Sequence, residues 1–261
     1  MKILLTNDDG IDSEGLKKLK LCLEDFGQVV MVAPDRERSG SGCSTSFNKT
    51  IRCQRKWDGD NFYGYSLSGT PVDCVIIGLE KILNNDKPDL IISGINTGTN
   101  LGYDIFYSGT VGAAIEGVSH HILSIAFSID GKDNPNYISA EKVIRQVIQG
   151  LTSEIMTQPI VLNINIPNIE YSHLKGFKLT KPGHCIHQKS IKSIYKDNHA
   201  EYFWLEGSNK DFVVERDTDL LAIKENFISI TPLSLEFNNR IDQYGFGVGK
   251  WVESLNSTWV S

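Results

Sequence analysis

The sequence is poor in cysteine and in net positive charge, which are typical of disulfide-rich, zinc-binding and nucleic-acid-binding proteins. It contains five cysteines and no Cys-x-x-Cys pair, so it indicates neither a disulfide framework nor a zinc site. Positive charge is in deficit, because 26 Lys and Arg stand against 32 Asp and Glu and give a formal net charge of -6. Such a chain repels a phosphate backbone unless its positive charges cluster. We therefore expect a cytoplasmic protein without a nucleic-acid polymer as partner.

Long apolar runs are also missing. No stretch approaches the ~18 apolar residues of a membrane span, and two carboxylates lie within the first nine residues, where a secretory segment would be apolar. We therefore expect no membrane association. The sequence also lacks a GxGxxG motif, a P-loop and a GxSxG elbow, which are the fingerprints of dinucleotide binding, P-loop nucleotide binding and acyl hydrolysis. Hydrophobic residues make up 40% of the 261 residues, enough for a large core.

The apolar pattern alternates between short strands and amphipathic helices. Residues 2–6 are an apolar run that stops at turn-forming residues, residues 13–26 have apolar side chains at helical spacing, and residues 28–33 form a second apolar run before Pro34. Strand, helix and strand in this order predict a parallel βαβ unit. Further predicted helices begin near 70, 108 and 139, and further strands lie near 89–93, 123–128 and 160–166. The pattern predicts an α/β fold with a mostly parallel, Rossmann-like sheet.

Two regions depart from this alternation. Residues 34–50 form a long early loop that contains Ser39-Gly40-Ser41-Gly42, and loops of this length in compact domains are usually functional or mobile. After residue 170 the helical pattern fades, and apolar groups near 202–204, 212–214 and 228–230 predict antiparallel strands or an extended arm.

Adjacent carboxylates follow the first predicted strand. In an open parallel sheet, ligands bind beyond the carboxyl ends of the strands, and this end delivers Asn7, Asp8 and Asp9. Two neighbouring carboxylates in a cleft repel each other, and a divalent cation allows both to stay ionised. The alternative is a solvated Asp9-Gly10 turn, although the residues after Gly10 are predicted to be helical.

Neutral oxygen donors follow two other strands. Ser39 in the glycine-rich loop and Asn96 after the strand at 89–93 are candidate metal ligands, and such hard donors favour magnesium or manganese over zinc. Each is also a common turn residue. Ser108, Gly109 and Thr110 lie at a predicted helix start, where free N–H groups favour an anion such as phosphate. The alternative is that these small residues only allow close helix packing.

A series of ordered motifs runs along the chain. They are NDDG at 7–10, APDRERSGSG at 33–42, SGTPVDCV at 68–75 and SGINTGTNLGYDIFYSGTVGAA at 93–114, followed by NINIP at 163–167, YFW at 202–204, DTD at 217–219 and SITPL at 229–233. Together they resemble the motifs of the SurE family of metal-dependent nucleotidases and acid phosphatases, and the similarity covers essentially the whole chain. The segment at 213–217 lacks the glycines typical of the family.

The resemblance implies a divalent-metal phosphomonoesterase acting on nucleoside 5′- and 3′-monophosphates, with short polyphosphate as a side substrate. It implies one Mg²⁺ or Mn²⁺ per subunit, and a single three-layer α/β/α domain over 1–261. Residues from about 170 to 261 would include an arm exchanged in a homodimer or homotetramer. The implied metal ligands are Asp8, Asp9, Ser39 and Asn96, with Asp8, Asp9 and Asn96 also catalytic, and the implied phosphate-pocket residues are Asn7, Gly40, Ser108, Gly109 and Thr110.

Two other classes share parts of this pattern. Receiver domains also place an acidic pair after their first strand, but here the later strand delivers Gly94-Ile95-Asn96 in place of a phosphoacceptor aspartate. A non-catalytic nucleotide-binding module with the same pocket remains open, as do the preferred base, the choice between 5′- and 3′-phosphate, and the identity of the general base.

Overall fold

A nine-stranded mixed sheet forms the centre of the molecule, with the strand order β3-β4-β2-β1-β5-β6-β7-β13-β8. The computed structural model describes residues 1–84, 86–131, 133–186, 189–197, 199–207, 211–212 and 215–235. The strands of this sheet are β1 Lys2–Thr6, β2 Gln28–Pro34, β3 Cys53–Asp58, β4 Asn61–Leu67, β5 Leu90–Thr97, β6 Ser124–Ile129, β7 Val161–Ile166, β8 Phe177–Leu179 and β13 Ile228–Leu233.

Six α-helices and two small strand pairs complete the described fold. The helices are α1 Glu14–Leu23, α2 Pro71–Ile77, α3 Gly109–Ser119, α4 Tyr137–Gln149, α5 Ser153–Met156 and α6 Asp219–Lys224. The paired strands are β9 Cys185–Ile186 with β12 Asp211–Phe212, and β10 Lys189–Lys196 with β11 Glu201–Gly207. No α-helix of the described part of the chain combines the length and apolarity that a bilayer crossing requires.

The sheet is mostly parallel because its central strands are joined by helical crossovers. Strands β4, β2, β1, β5, β6 and β7 pair parallel with one another in this order. The outer strands β3 and β13 pair antiparallel with β4 and β7, and β8 pairs parallel with β13. The central strands are buried on both faces; all six residues of β6, for example, are buried. This agrees with the predicted Rossmann-like sheet.

Helices cover both faces of the sheet and make three layers. On one face, apolar side chains of α1 and α4, such as Leu19 and Ile144, pack with Phe127 of β6. On the other face, α2 contributes Val75 against Leu4, and α3 contributes Ala114 against Ala126. The three-layer α/β/α expectation is therefore confirmed.

Local sequence explains how the first crossover begins. Ser13 caps α1 by accepting a hydrogen bond from the Leu16 amide at 3.4 Å, which satisfies one free N–H of the first turn. At α2, Thr70 and Asp73 form a reciprocal capping box with Pro71 in the first turn. Both caps lie at the starts of helices that follow the carboxyl ends of strands. They therefore fix where the loops at that edge of the sheet end and the helices begin.

The hairpin of β3 and β4 is absent from the sequence prediction. Its strands pair antiparallel from Cys53 with Leu67 to Asp58 with Asn61. The burial pattern of β3 has five exposed positions and one half-buried position, so it has no alternating apolar face for a sequence pattern to show. Backbone pairing at the edge of the sheet holds this strand in place.

The C-terminal part is extended, as the fading helical pattern predicts. Strand β13 returns antiparallel beside β7, and β10 and β11 form a two-stranded ribbon. The ribbon exposes large apolar side chains, among them Ile191, Phe203, Trp204 and Leu205. Residues 236–261 of the predicted arm lie outside the described residues, as do Val213 and Val214.

A buried carboxylate connects this C-terminal part to the loop after β5. Asp219 is fully buried at the start of α6. It accepts hydrogen bonds from the backbone N–H groups of Gly102, Gly183 and Leu220, each at 2.8 Å. Burial raises the pKa of Asp219, while these three hydrogen bonds act in the opposite direction. The carboxylate thereby holds two distant loops against one helix end.

Replacing Asp219 with Ala should lower the free energy of unfolding by about 3 kcal/mol, because three buried N–H groups lose their acceptor. Denaturant titration at pH 7 would measure this loss. The matched control is Lys224→Ala on the same helix, whose side chain is exposed, and which should stay within about 0.5 kcal/mol of the parent protein. Equal stability of the two variants would contradict the role of Asp219.

Tyr63 of β4 should make stability fall at alkaline pH. Burial raises its pKa to about 12 from 10.0, with Asp12 and Asp58 acting in the same direction, and its buried hydroxyl has no hydrogen-bond partner among the described residues. Between these two values the folded chain binds more protons than the unfolded chain, so stability falls as pH rises. Tyr63→Phe should lessen the fall measured by denaturant titration between pH 9 and 11. Identical pH slopes would refute the assignment.

Candidate functional site

The turn after β1 is built around a fully buried asparagine. The Asn7 side-chain amide donates to the Gly10 carbonyl at 3.0 Å and to the Ser13 hydroxyl at 2.8 Å, and its oxygen accepts from the Gly10 N–H at 3.2 Å. Gly10 has φ +99°, and a Cβ there would lie 3.0 Å from the Arg36 backbone. Asn7, predicted to line the phosphate pocket, therefore shapes the turn that presents Asp8 and Asp9.

Asp8 is the buried carboxylate of the site, only 4% exposed. The Thr110 hydroxyl donates a hydrogen bond to its Oδ1. Burial raises the pKa of Asp8, and hydrogen bonds from Thr110 and from the backbone of Gly109 oppose that rise. An ionised carboxylate in this position is favoured by a compensating positive charge.

The start of α3 lies directly against Asp8 because residue 109 is a glycine. A Cβ on Gly109 would lie 2.8 Å from the Asp8 Cβ, 3.0 Å from its Oδ2 and 2.6 Å from the Ser41 Oγ. Ser108 is the N-cap of α3, and its hydroxyl accepts from the Val111 N–H at 3.1 Å. The predicted group Ser108, Gly109 and Thr110 is thus placed beside the carboxylate, with the Ser108 hydroxyl used for capping.

The glycine-rich loop after β2 closes over the same point. The Arg38 N–H donates to the Asp8 carbonyl at 2.7 Å, and the Gly42 N–H donates to the Tyr107 carbonyl at 3.0 Å. Gly42 (φ +53°) could not carry a side chain, since its Cβ would lie 2.8 Å from the Phe106 carbonyl oxygen. These contacts join the loop to both the Asp8 turn and the residues before α3.

Within this loop the two predicted site residues, Ser39 and Gly40, are exposed, whereas the neighbouring Ser41 hydroxyl is buried. Ser39 is exposed, and its hydroxyl donates to Glu37 at 2.7 Å. Gly40 is exposed with φ +75°, and the space where a Cβ would stand is open. The hydroxyl of Ser41 is buried and has no hydrogen-bond partner in the described part of the chain.

The end of β5 contributes Asn96 through an irregular backbone. The pairing of β5 with β6 shifts between Ser93 and Asn96. Gly94 has φ +134°, and a Cβ there would lie 2.4 Å from the Phe127 carbonyl oxygen. The half-buried Asn96 donates from its amide nitrogen to the Gly98 carbonyl at 2.7 Å. This bond orients the amide, and its oxygen is the atom suited to a cation.

Asp9 is half-buried beside Asp8. Its negative charge is one of the causes that raise the pKa of Tyr137 to about 12, after burial of the phenol and the charge of Glu14. Tyr137 is the first residue of α4, and its hydroxyl lies 3.4 Å from the position that a Cβ on Gly15 would occupy. The neutral phenol of Tyr137 therefore lies close enough to Asp9 for the charge of that carboxylate to affect its pKa.

Direct contacts join some of the predicted residues and not others. Asp8, Gly109 and Thr110 touch one another. Asn96 and Ser39 share their sheet edge, but among the hydrogen bonds of the described residues each bonds within its own loop. Sequence reasoning missed Arg38, Ser41 and Tyr137; the first two lie inside the APDRERSGSG motif, whereas Tyr137 lies in a segment without a recognised motif.

The donor set fits a hard divalent cation. It consists of carboxylate, amide and hydroxyl oxygens, and magnesium and manganese prefer these donors. The described residues contain no cluster of three His, Cys, Asp or Glu side chains suited to a metal, so neutral oxygen donors would have to complete the site. The buried Asp8, whose burial disfavours its ionised form, gains most from such a cation.

Comparison with known proteins identifies relatives over nearly the full length of the chain. The family model described as "Survival protein SurE" matches residues 3–189. A protein named 5'-nucleotidase SurE from Aquifex aeolicus (strain VF5) is 40% identical over 236 residues, covering 90% of this chain and 93% of that protein. A protein named 5'/3'-nucleotidase SurE from Wigglesworthia glossinidia brevipalpis is 37% identical over 258 residues, covering 98% and 99%.

The fold agrees with a solved structure of the same family. The crystal structure of the SurE protein from Aquifex aeolicus superimposes with a TM-score of 0.81 at 37% identity, covering 97% of this chain and 100% of that chain. Sequence and structure give the same answer: the chain belongs to the SurE family.

Proposed function

We propose that this protein is a divalent-metal-dependent phosphomonoesterase that hydrolyses nucleoside 5′- and 3′-monophosphates, with short polyphosphate as a side substrate. The relatives named as 5'-nucleotidase and 5'/3'-nucleotidase support the reaction class. The observation that carries the proposal is the contact between the buried Asp8 and the N-terminus of α3, where Thr110 donates to the carboxylate and Gly109 packs against it. This contact supports the proposal, because a carboxylate that could hold a cation lies beside a helix N-terminus whose dipole favours an anion.

Asp8, Asp9 and Asn96, with Ser39 as a further neutral donor, would hold one Mg²⁺ or Mn²⁺ per subunit. Such an ion, when bound, neutralises phosphate oxygens and lowers the pKa of a coordinated water. Thr110 fixes the orientation of the Asp8 carboxylate through its hydroxyl. Asn96 is held in one orientation by its hydrogen bond to Gly98. The side chains therefore need little rearrangement when a cation binds.

The phosphate would lie at the N-terminus of α3. This helix has eleven residues, and the positive end of its dipole favours an anion. Its first N–H groups already have acceptors, because those of Gly109 and Thr110 bond to Asp8 and that of Val111 bonds to Ser108. Gly109 lets the backbone approach closely, since any larger residue would meet Asp8 and Ser41. The positive end of the helix dipole would stabilise charge on the equatorial oxygens during in-line attack by water.

Asp9 is the better placed carboxylate to orient the attacking water or accept its proton. Asp8 is 4% exposed and bonded to Thr110, whereas Asp9 is half-buried next to it. A water molecule can therefore reach Asp9 more readily than Asp8. The proton taken by Asp9 would be balanced by the proton that the leaving nucleoside oxygen takes up, directly or through solvent, when its bond to phosphorus breaks, so that ester and water give nucleoside and phosphate.

Removal and return of the metal test this reaction. Protein treated with a chelator should release no phosphate from 5′- and 3′-nucleoside monophosphates, p-nitrophenyl phosphate or short polyphosphate, and Mg²⁺ or Mn²⁺ should restore the release. Asp9→Asn should lower kcat by at least about 100-fold while the protein stays folded, because general base catalysis alone contributes this much.

Asp12→Asn is the matched control for this experiment. Asp12 lies three residues further on, is exposed and forms an ion pair with Lys56 at 3.2 Å. Its replacement should leave kcat within about twofold, since exposed ion pairs contribute little. Turnover by Asp9→Asn equal to that of the parent protein would refute the site. No release by folded parent protein with any metal would favour a nucleotide-binding module.

We also propose that the chain forms a homodimer or homotetramer through its β10–β11 ribbon. A two-stranded ribbon is marginally stable alone, and this one exposes seven large apolar side chains. They are Ile191, Ile194, Tyr195, Tyr202, Phe203, Trp204 and Leu205. An apolar surface of this kind is typical of a protein interface, and a second copy of the ribbon would cover it.

Leu205→Glu should shift the protein toward the monomer, because it places a charge in the apolar contact. Sedimentation velocity on parent and variant at equal concentration measures the shift. The control is Leu179→Glu on the edge strand β8, where the side chain is 76% exposed and outside the ribbon. Unchanged sedimentation of Leu205→Glu would show that the ribbon is not the interface.

A cytoplasmic location is part of the proposal. Cys22, Cys43, Cys53 and Cys74 are free thiols, and burial raises the pKa of the Cys22 thiol to about 11. Thiols that remain unpaired and protonated suit a reducing compartment.

A further inference from the structure

We propose that Tyr103, Phe106 and Tyr107 form an aromatic surface on which the base of the nucleotide substrate stacks. The inference rests on the proposed function, because it assigns the part of the substrate that lies beyond the phosphate. We call these three residues the aromatic surface. They lie in and directly after the 3-10 turn Gly102–Phe106, immediately before α3.

The three rings are unusually exposed for their size. The exposed fractions are 44% for Tyr103, 64% for Phe106 and 57% for Tyr107. Aromatic side chains each bury a large apolar area in cores and interfaces, and a cluster left open to solvent marks a binding surface. The location next to the predicted phosphate site separates this cluster from the apolar ribbon of β10 and β11.

The aromatic surface starts at the phosphate site itself. Tyr107 precedes the N-cap Ser108, and Phe106 lies two residues before it, so that its Cα is at most about 7 Å away along the chain. The Gly42 N–H donates to the Tyr107 carbonyl at 3.0 Å, which ties this segment to the loop that also contacts Asp8. A ribose spans a comparable distance between the phosphate and the base of a nucleotide.

Contacts with neighbouring residues hold two of the three rings, those of Tyr103 and Phe106. The Tyr103 hydroxyl and the Nδ1 of His184 are 2.9 Å apart. The rings of Tyr103 and Phe106 stack with centroids 6.2 Å apart and planes inclined by 24°. Asp219 accepts from the N–H groups of Gly102 and Gly183, one residue before Tyr103 and one before His184. A surface fixed in this way loses little conformational entropy when a base binds.

Stacking also determines the specificity to be expected. Every base presents a π-face, so stacking tolerates different bases and discriminates weakly among them. The surface would therefore admit all common nucleoside monophosphates and favour the larger purine rings. A phosphate ester without a ring would gain nothing from it.

Phe106→Ala tests the inference on the full-length, metal-loaded protein. The KM for adenosine 5′-monophosphate should rise about tenfold with kcat within twofold, because a stacking contact contributes about 1–3 kcal/mol per base to ground state and transition state alike. With glycerol 2-phosphate, which has no ring, KM and kcat should not change. Phe106→Trp should keep the low KM for the nucleotide.

Trp57→Ala provides the control for loss of an exposed aromatic ring. Trp57 is 54% exposed on the edge strand β3 and should leave both substrates unaffected. An unchanged KM for the nucleotide in Phe106→Ala would overturn the inference, and so would an equal rise for both esters. A change in sedimentation with unchanged KM would assign the rings to a subunit contact and also overturn it.

Failure of the proposed function would give a different result. In that case the parent protein would hydrolyse neither ester, and equilibrium dialysis of adenosine 5′-monophosphate against parent and variant would replace the kinetic readout. A weaker affinity of Phe106→Ala, by about tenfold, would support the aromatic surface without catalysis. Equal affinities would overturn it.

Discussion

The hydrogen bond from the Thr110 hydroxyl to the Asp8 carboxylate joins two elements that are 102 residues apart in sequence. Asp8 follows β1 and Thr110 lies in the first turn of α3, so this bond fixes the N-terminus of a helix against the end of a central strand. Both groups are buried, and a buried carboxylate is stable only where hydrogen bonds or a positive charge compensate it. The remaining parts of the edge are arranged around this pair.

Close backbone approach is the cost of that arrangement, and glycine allows it. Gly109 leaves room for the Asp8 carboxylate and the Ser41 hydroxyl, and Gly42 leaves room for the Phe106 carbonyl. The Arg38 N–H also donates to the Asp8 carbonyl, and the Gly42 N–H donates to the Tyr107 carbonyl. The loop after β2 is therefore bonded both to the turn after β1 and to the residues before α3. The turn at Asp8, the loop after β2 and the residues around the start of α3 therefore meet at one edge of the sheet, although they come from different parts of the chain.

The sequence predicted the strands and helices that have a clear apolar pattern. It missed a strand that is held mainly by backbone hydrogen bonds to its neighbour. The strands β1, β2, β5, β6 and β7 are mostly buried and rich in apolar residues, so their runs were recognisable. The hairpin strand β3 is stabilised by backbone bonds to β4 and shows no apolar face. The N-caps Ser13, Thr70 and Ser108 follow from local sequence at the helix starts. Ser108 was predicted to face phosphate, and the structure shows that its hydroxyl accepts a hydrogen bond from the Val111 N–H.

Candidate site residues were predictable by position, but their partners were not. A strand end places Asp8, Asp9 and Asn96 at one edge, since parallel strands share that edge. Nothing in the residues at 39 and 41 shows which hydroxyl bonds to Glu37 and which is buried beside Gly109. Such differences depend on the path of the loop, which tertiary contacts set.

Asp219 extends the same principle to the far side of the site. It accepts from N–H groups at Gly102 and Gly183, so a residue near the end of the described chain positions the loop that precedes α3. The loop carries the aromatic surface, and α3 carries Thr110. A displacement of Gly102 would therefore shift both the exposed rings and the start of α3. Two buried carboxylates thus fix the two ends of one segment, Asp219 at residue 102 and Asp8 at residue 110. The length between these two points determines where the exposed rings lie relative to the start of α3.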